Sequence, residues 1–269
     1  TKLGDQSGIS ASLHQLAMIE QDRGNYDEAT KLYRQSLEIF EKLGDQADIA
    51  KSLHQLAMIE QNRGNYDKAT KLFEKSLGIK RNLKDQEGIS RCLFNLATIE
   101  QRRGNYDKAE KLHKQSLEID QKLGDQSGIS YTLHQLAIIQ EEKGNVEEAI
   151  RLHKEGLKID VKLGDKSSIS KSLHALAIIE QSRGNYDKAE KLYKESLEID
   201  TKLGDKSGIA LTFGQLGRLS ETRNQLTLAK QCYEKALEIF RQLGDKPHTN
   251  QAQKDLNRIQ TKIKSQKQQ

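Results

Sequence analysis

Apolar side chains recur along most of this chain at spacings of three and four residues. Within residues 5–42 they form two stripes, the first made of Ile9, Leu13, Leu16, Ala17 and Ile19, the second of Tyr26, Ala29, Leu32, Tyr33, Leu37 and Ile39. Such spacing places each stripe on one face of an α-helix. The pattern therefore predicts two amphipathic helices, which we name helix A and helix B.

The expected ends of both helices carry sequence signals. The carboxylate of Asp5 can accept the free backbone N–H groups of a first helical turn, which predicts the start of helix A there. Gly24 supplies the left-handed backbone that ends helix A. We expect Asn25 to cap helix B and Gly44 to end it. Lys84 stands where other turns have glycine, so we expect strain in that turn.

The two-helix pattern repeats with a period of 40 residues. SLHQLAMIEQ, for example, occurs at 12–21 and again at 52–61. The period divides the chain into six repeats, 1–40, 41–80, 81–120, 121–160, 161–200 and 201–240, followed by a capping helix and polar tail at 241–269. Because one helix pair cannot bury its own stripes, we expect the repeats to stack into an α-solenoid. Alanine at two fixed positions of the repeat marks where helices must approach closely.

The tail keeps little of the repeated apolar pattern. Leu256 and Ile259 are what remains of it, and a polar terminal helix is what a solenoid needs at an exposed end. We therefore predict a capping helix at 248–263 and a frayed end at 264–269. Thr1 falls inside a connection between repeats, from which we infer the C-terminal part of a longer protein.

The repeated residues resemble the tetratricopeptide repeat (TPR) family. The family signature has a small residue in helix A, Gly-x-Tyr at the turn, then alanine, an aromatic residue and a second small residue. The first repeat supplies them as Ala17, Gly24, Tyr26, Ala29, Tyr33 and Ser36. The 40-residue length is similar to the variety in Pins/LGN-type adaptors, kinesin light chains and prokaryotic signalling proteins. The resemblance implies an all-α, right-handed superhelical α-solenoid of helix-turn-helix repeats. The chain departs from the signature at Glu20, where the family has tyrosine.

In the TPR family, ligands usually lie on a concave surface lined by helix A. Carried over by register, the resemblance implies a groove formed by positions 11, 14, 15, 18, 21 and 22 of the first repeat and their equivalents. This lining mixes amide, apolar and basic side chains, which suits a peptide or protein partner with acidic residues. The candidate binding residues are Lys51, His54, Gln55, Met58, Arg91, Phe94, Asn95, Arg102, Tyr131, His134, Gln135, Lys171 and His174.

The third repeat differs from the others at several groove positions at once. It carries Arg91, Phe94, Asn95, Thr98 and Arg102 where its neighbours have other residues. One interpretation is sequence drift; the other is that this repeat is the centre of specificity. Asn95 also occupies the place of an asparagine that often holds ligand backbone in TPR grooves.

Composition limits the classes of protein to consider. Charged residues are 31% of the chain and the net charge is +5. No apolar run approaches the roughly 18 residues that a membrane span needs, so no membrane association is expected. The first ten residues show no signal peptide. Two cysteines do not make a disulfide framework, which favours a cytoplasmic protein. Cys232 takes a core leucine position and is expected to be inert.

Catalysis and metal binding have little support in the sequence. Equivalent histidines on adjacent repeats lie on the order of 10 Å apart, whereas metal ligands converge on one ion within about 2 Å. No phosphate-binding loop or HExxH motif is present. We therefore predict no enzyme activity, no metal and no cofactor. His113 and His153 fall in the aromatic position of Tyr33 and are expected to be buried, neutral and hydrogen-bonded.

Three functions remain to be weighed. The first is an adaptor that binds a peptide or protein in the groove. The second is a sensor or regulatory arm of a larger signalling protein, linked to an NTPase or protease, whose partner is its own effector domain. The third is nucleic-acid binding through the basic helix-B column of Lys31, Lys71, Lys111, Arg151 and Lys191. Interleaved acids and missing base-stacking aromatics speak against the third.

Overall fold

The computed structural model describes residues 2–267, and all the secondary structure in that range is α-helical. The helices are α1 (Lys2–Asp22), α2 (Tyr26–Leu43), α3 (Gln46–Asn62), α4 (Tyr66–Asn82), α5 (Gln86–Arg102), α6 (Tyr106–Leu123), α7 (Gln126–Glu142), α8 (Val146–Leu163), α9 (Lys166–Ser182), α10 (Tyr186–Leu203), α11 (Lys206–Thr222), α12 (Leu226–Leu243) and α13 (Lys246–Lys267). The all-α prediction is confirmed.

The chain forms two compact units, Thr1–Ile139 and Gln140–Gln269. In the first unit, each helix from α1 to α5 packs against the next one in the chain. In the second unit the same holds from α8 to α12. Each unit is therefore a stack of helices in sequence order, the arrangement expected for a solenoid built from nearest-neighbour contacts.

The identical segments 12–21 and 52–61 differ in burial. Leu16 is 51% exposed and Ile19 is 46% exposed on α1. Leu56 and Ile59, their equivalents on α3, are buried in one cluster with Tyr33 of α2. The predicted core stripe is thus confirmed for the second repeat. In the first repeat it is wrong for Ile9, Leu16 and Ile19, which are exposed, whereas Ala17 is buried. The difference arises because helix B of the preceding repeat buries this face in the second repeat.

Small residues sit where the helices come closest. The alanines of both columns are fully buried, at Ala17, Ala57, Ala97, Ala137 and Ala177, and at Ala29, Ala69, Ala109, Ala149, Ala189 and Ala229. In the sixth repeat the first column continues as Gly217, where an added Cβ would lie 2.7 Å from the ring of Tyr233. A Cβ at Gly214, one turn earlier, would meet nothing within 4 Å.

The helix ends follow most of the sequence signals. Gly24 and Gly44 have positive φ, and Lys84 adopts φ 56°, which confirms the strained turn. Asp45 caps α3 by accepting the backbone N–H of Asp48 at 3.1 Å. The prediction at Asp5 is wrong, since α1 already begins at Lys2.

Asn25 does not cap helix B as predicted, because its side chain makes no capping hydrogen bond. Its Nδ2 instead donates to Glu20 Oε2 at 2.6 Å, and Asn65 donates to Glu60 at 2.7 Å in the same way. The glutamate that departs from the family signature therefore ties the end of helix A to the turn. Glu60 is buried, so this bond also satisfies a charge held away from water.

The last helix is longer than the sequence pattern indicates. α13 continues to Lys267, so the frayed end predicted from 264 is wrong up to that residue, and the rest of that prediction lies outside the described residues. Leu256 and Ile259 are buried against α12, as their apolar spacing suggests. Glu221 of α11 accepts from Arg258 at 2.7 Å and from Lys262 at 2.8 Å, which fastens α13 to the stack.

Within the described residues, no helix is long and apolar enough to cross a membrane. Cys92 and Cys232 are both buried and free, and burial raises the pKa of both thiols.

Candidate functional site

Two cavities open on the helix-A side of the first unit. The first has a volume of about 520 Å³ and is lined by Ala11, His14, Gln15, Met18, Phe40, Asp48, Lys51, His54, Gln55, Met58, Lys80 and Arg91. The second has a volume of about 450 Å³ and is lined by Glu87, Ser90, Arg91, Phe94, Asn95, Ser116, Asp120, Asp125, Ser127, Gly128, Tyr131 and Thr132. Arg91 lines both, so the two cavities adjoin along α5.

The cationic rim of the first cavity is neutralised locally. Lys51 Nζ lies 2.8 Å from Asp48 Oδ1, one turn back on α3. Arg91 lies 3.1 Å from Glu87 Oε1 on α5. Both basic side chains are more than 60% exposed, so each pair contributes little to stability. The pairs leave the rim close to neutral.

The histidines of the first cavity belong to its wall. The ring of His54 meets that of Phe73 edge to face at 5.0 Å, and His14 meets Tyr33 in the same way. Burial, together with the charges of Lys80 and Arg91, lowers the pKa of His54 to about 3. His54 Nδ1 lies 3.4 Å from Cys92 Sγ. His54 is therefore a neutral, inward-facing residue at pH 7.

The second cavity combines aromatic and acidic walls. Tyr131 is 53% exposed, and Phe94 contacts His113 edge to face at 5.1 Å. Asn95 Nδ2 donates to the backbone oxygen of Arg91 at 2.9 Å. Asp120 is buried and accepts from Ser90 Oγ, and burial raises the pKa of this carboxyl group. The acid at the base of this cavity thus already has a hydrogen-bond donor.

The structure brings together most, but not all, of the candidate binding residues. The first cavity is lined by Lys51, His54, Gln55, Met58 and Arg91. The second is lined by Arg91, Phe94, Asn95 and Tyr131. Arg102, His134 and Gln135 line neither of these two cavities. Lys171 and His174 belong to the second unit, where burial lowers the pKa of His174 and its Nδ1 lies 3.0 Å from Thr212 Oγ1.

Sequence reasoning missed the contribution of helix B to these cavities. Phe40, Lys80 and Asp120 all occupy the fortieth position of their repeats and line a cavity. That position is phenylalanine, lysine or aspartate in different repeats, beside columns that barely change. This variation was the available signal, and helix-A register alone could not show it.

The two histidines in the aromatic position differ from each other. His113 is fully buried, and neither of its ring nitrogens has a hydrogen-bond partner, so the predicted hydrogen bond is wrong there. Burial lowers the pKa of His113 to about 4, which confirms that the ring is neutral. His153 is buried and its Nε2 lies 2.7 Å from Glu141 Oε1, as expected for a hydrogen-bonded ring.

Within the described part of the chain, no group of three or more His, Cys, Asp or Glu side chains is arranged to hold a metal ion.

Comparison with known proteins gives one family. A family model described as tetratricopeptide repeat matches residues 8–82, 88–160 and 168–242. A search of curated proteins found no match.

Several solved structures are similar in fold. A Rap protein complexed with Competence and Sporulation Factor is 18% identical, with 94% of this chain and 75% of that chain covered and a TM-score of 0.67. A signal transduction ATPase with numerous domains and a tetratricopeptide repeat sensor, from Pyrococcus horikoshii, is 22% identical, with 92% and 37% covered and a TM-score of 0.73. A Podosopora anserina putative kinesin light chain with nearly identical TPR-like repeats is 26% identical, with 74% and 97% covered and a TM-score of 0.59.

Proposed function

This chain belongs to the tetratricopeptide repeat family, and we propose that it is a non-catalytic scaffold that binds a peptide or protein segment on the helix-A face of its first unit. The observation that carries the proposal is the pair of adjoining cavities, which share Arg91. Together they offer an extended partner two neighbouring places for side chains.

The chemistry of the lining suits a peptide. Gln15 and Gln55 are accessible amides that make no hydrogen bond with a described residue, and amides can pair with a peptide backbone. Met18 and Met58 give the first cavity adaptable apolar walls. Tyr131 and Phe94 give the second cavity aromatic surface, which is common where proteins bind partners. In the second unit, Lys171 and His174 occupy the repeat positions that Lys51 and His54 occupy in the first unit.

Similar structures agree with a binding role but do not identify the partner of this chain. The Rap protein was crystallised with Competence and Sporulation Factor, and the Pyrococcus horikoshii protein contains a repeat sensor. This chain spans 37% of the latter, so the sensor or regulatory arm of a larger signalling protein is our second candidate. Fold likeness at 22% identity extends to architecture and not to that role, which places the scaffold first.

The helix-B column offers little to nucleic acid. Lys31 lies 3.3 Å from Glu28, and Arg151 lies 2.7 Å from Glu148 and 2.8 Å from Glu155. A surface that tracks a phosphate backbone needs cations that can release counterions to it. Neighbouring carboxylates already neutralise Lys31 and Arg151, which favours a protein partner over nucleic acid at these two positions of the column.

Affinity capture from source-cell lysate tests the proposal. The wild-type chain is compared with Asn95→Ala/Tyr131→Ala, two residues that line the second cavity and not the first, and with the control Lys71→Ala/Lys111→Ala on helix B. Captured proteins are identified by mass spectrometry and nucleic acid by nuclease sensitivity. We expect a protein retained by wild type and control and lost by the cavity variant. Equal capture by all three would move the binding site off this face.

A further inference from the structure

The fortieth position of every repeat is buried, yet it holds charged residues in four of them. Its residues are Phe40, Lys80, Asp120, Asp160, Asp200 and Phe240, none more than 5% exposed. A buried charge is costly unless it is paired or hydrogen-bonded. The surroundings of each charged residue therefore show whether the fold itself satisfies it.

Two of the aspartates are satisfied by serine. Asp120 accepts from Ser90, and Asp200 accepts from Ser170, in each case from the tenth position of the same repeat. The second repeat lacks this device, because its tenth position is Ala50. The repeat with lysine at position 40 therefore lacks the serine that donates a hydrogen bond to the aspartate in the third and fifth repeats.

Lys80 makes no hydrogen bond or salt bridge with any described residue. Its stem lies over Gly88, where an added Cβ would be 2.6 Å from Lys80 Cδ, and the side chain lines the first cavity. The nearby Asp85 is engaged in capping α5, since it accepts the backbone N–H of Gly88 at 2.9 Å. Lys80 is 5% exposed as a residue, and it lines the cavity without an ion-pair partner among the described residues, although the Asp85 carboxylate lies near its stem.

Other charges around the cavity do not fill that role. Asp48 is held by Lys51 at 2.8 Å, and Arg91 is held by Glu87 at 3.1 Å. His54, whose pKa burial lowers to about 3, is neutral at pH 7. Lys80 is therefore the one charged side chain lining this cavity that has no ion-pair partner among the described residues.

We propose that Lys80 forms, at the base of the first cavity, a subsite for the carboxylate of an acidic side chain in a bound peptide. The inference rests on the proposed function and specifies its ligand. One unpaired ammonium matches one carboxylate, whereas a phosphate dianion favours bidentate arginine, and the arginine here is already paired. Met18, Met58 and Phe40 line the same cavity, so the acidic residue has apolar neighbours in the peptide.

The two methionines give a direct readout. Met18 and Met58 are the only methionines of the sequence, and both line this cavity. The full chain is labelled with ¹³C at the methionine methyl groups and titrated with five-residue peptide pools, capped at both ends, whose central residue is Glu, Gln or phosphoserine. Inorganic phosphate serves as a fourth probe. The variant is Lys80→Met, which should fold because two repeats carry phenylalanine at this position, and the control is Lys75→Met, an exposed lysine of the same helix.

We expect the Glu pool to shift both methyl signals saturably, at a concentration at least about tenfold lower than the Gln pool, as a charged hydrogen-bond partner would give. Lys80→Met should abolish this preference and Lys75→Met should keep it. A wild-type protein without the preference, a Lys80→Met protein that retains it, or no shift with any pool would overturn the subsite. Tighter binding of phosphoserine or inorganic phosphate would do the same. The capture experiment uses variants of the second cavity, so a failed subsite and a failed scaffold give different results.

Discussion

Replacing His113 with phenylalanine should stabilise the protein, and more so in mild acid. The ring is fully buried, and both nitrogens lack hydrogen-bond partners. An unsatisfied buried polar group costs about 1–3 kcal/mol. The preceding repeat shows that the position accepts a larger apolar ring, since Phe73 is fully buried there with the same edge-to-face neighbour geometry.

The pH dependence follows from linkage. The folded pKa of His113 is about 4, below the unfolded value of about 6.5, so the unfolded state takes up the extra proton first. Stability contributed by the neutral ring is present above pH 6.5 and is lost as the pH falls towards 4. Between pH 7 and pH 5 the loss is about 1.8 kcal/mol. His113→Phe removes it.

Urea unfolding of wild type and His113→Phe at pH 7 and pH 5, followed by circular dichroism, checks both effects. We expect the variant to gain about 1–3 kcal/mol at pH 7 and about 2 kcal/mol more at pH 5. Tyr193→Phe, at the same position of another repeat, should leave the pH dependence unchanged. A variant less stable than wild type, or an unchanged difference between the two pH values, would refute the argument. So would an NMR titration in which His113 protonates near pH 6.5.

Three further changes have expected outcomes. Gly217→Ala should destabilise the protein by more than about 1 kcal/mol despite the higher helix propensity of alanine, because the new Cβ meets a tyrosine ring. Gly214→Ala on the same helix should stabilise the protein by about 0.5–1 kcal/mol. Equal urea midpoints for the two variants would contradict the packing argument. Lys84→Gly should raise stability by about 0.5–1 kcal/mol by relieving a positive φ, and a lower thermal midpoint would show that the turn is not strained. Glu221→Gln should speed amide hydrogen exchange in α13, since basic neighbours hold the pKa of Glu221 at about 2. The stabilisation of the folded state by the ionised Glu221 is lost only as the pH falls from about 4.5 towards 2. Unchanged exchange would mean that apolar contacts alone hold the helix.

The sequence by itself determined the helices and the repeat. Apolar spacing and the turn glycines Gly24 and Gly44 are local signals, and their physics acts within a turn or two of the backbone, so the structure reproduces them. The alanine columns also predicted the close contacts, because a small side chain kept at the same position of successive repeats leaves room for a neighbouring helix. The helix-A face that carries Lys51 and Arg91 was predictable from the same regular spacing.

Only the tertiary structure decided which of these residues are buried and which partners they meet. Leu16 and Leu56 lie in identical sequence, yet one is exposed and the other is core, because burial depends on the helix that packs against them. Asn25 reaches Glu20 instead of its own helix, and Lys80 lines a cavity without an ion-pair partner among the described residues. Contacts of this kind join residues from different helices, and their free energy depends on distances that a linear pattern of residues does not contain.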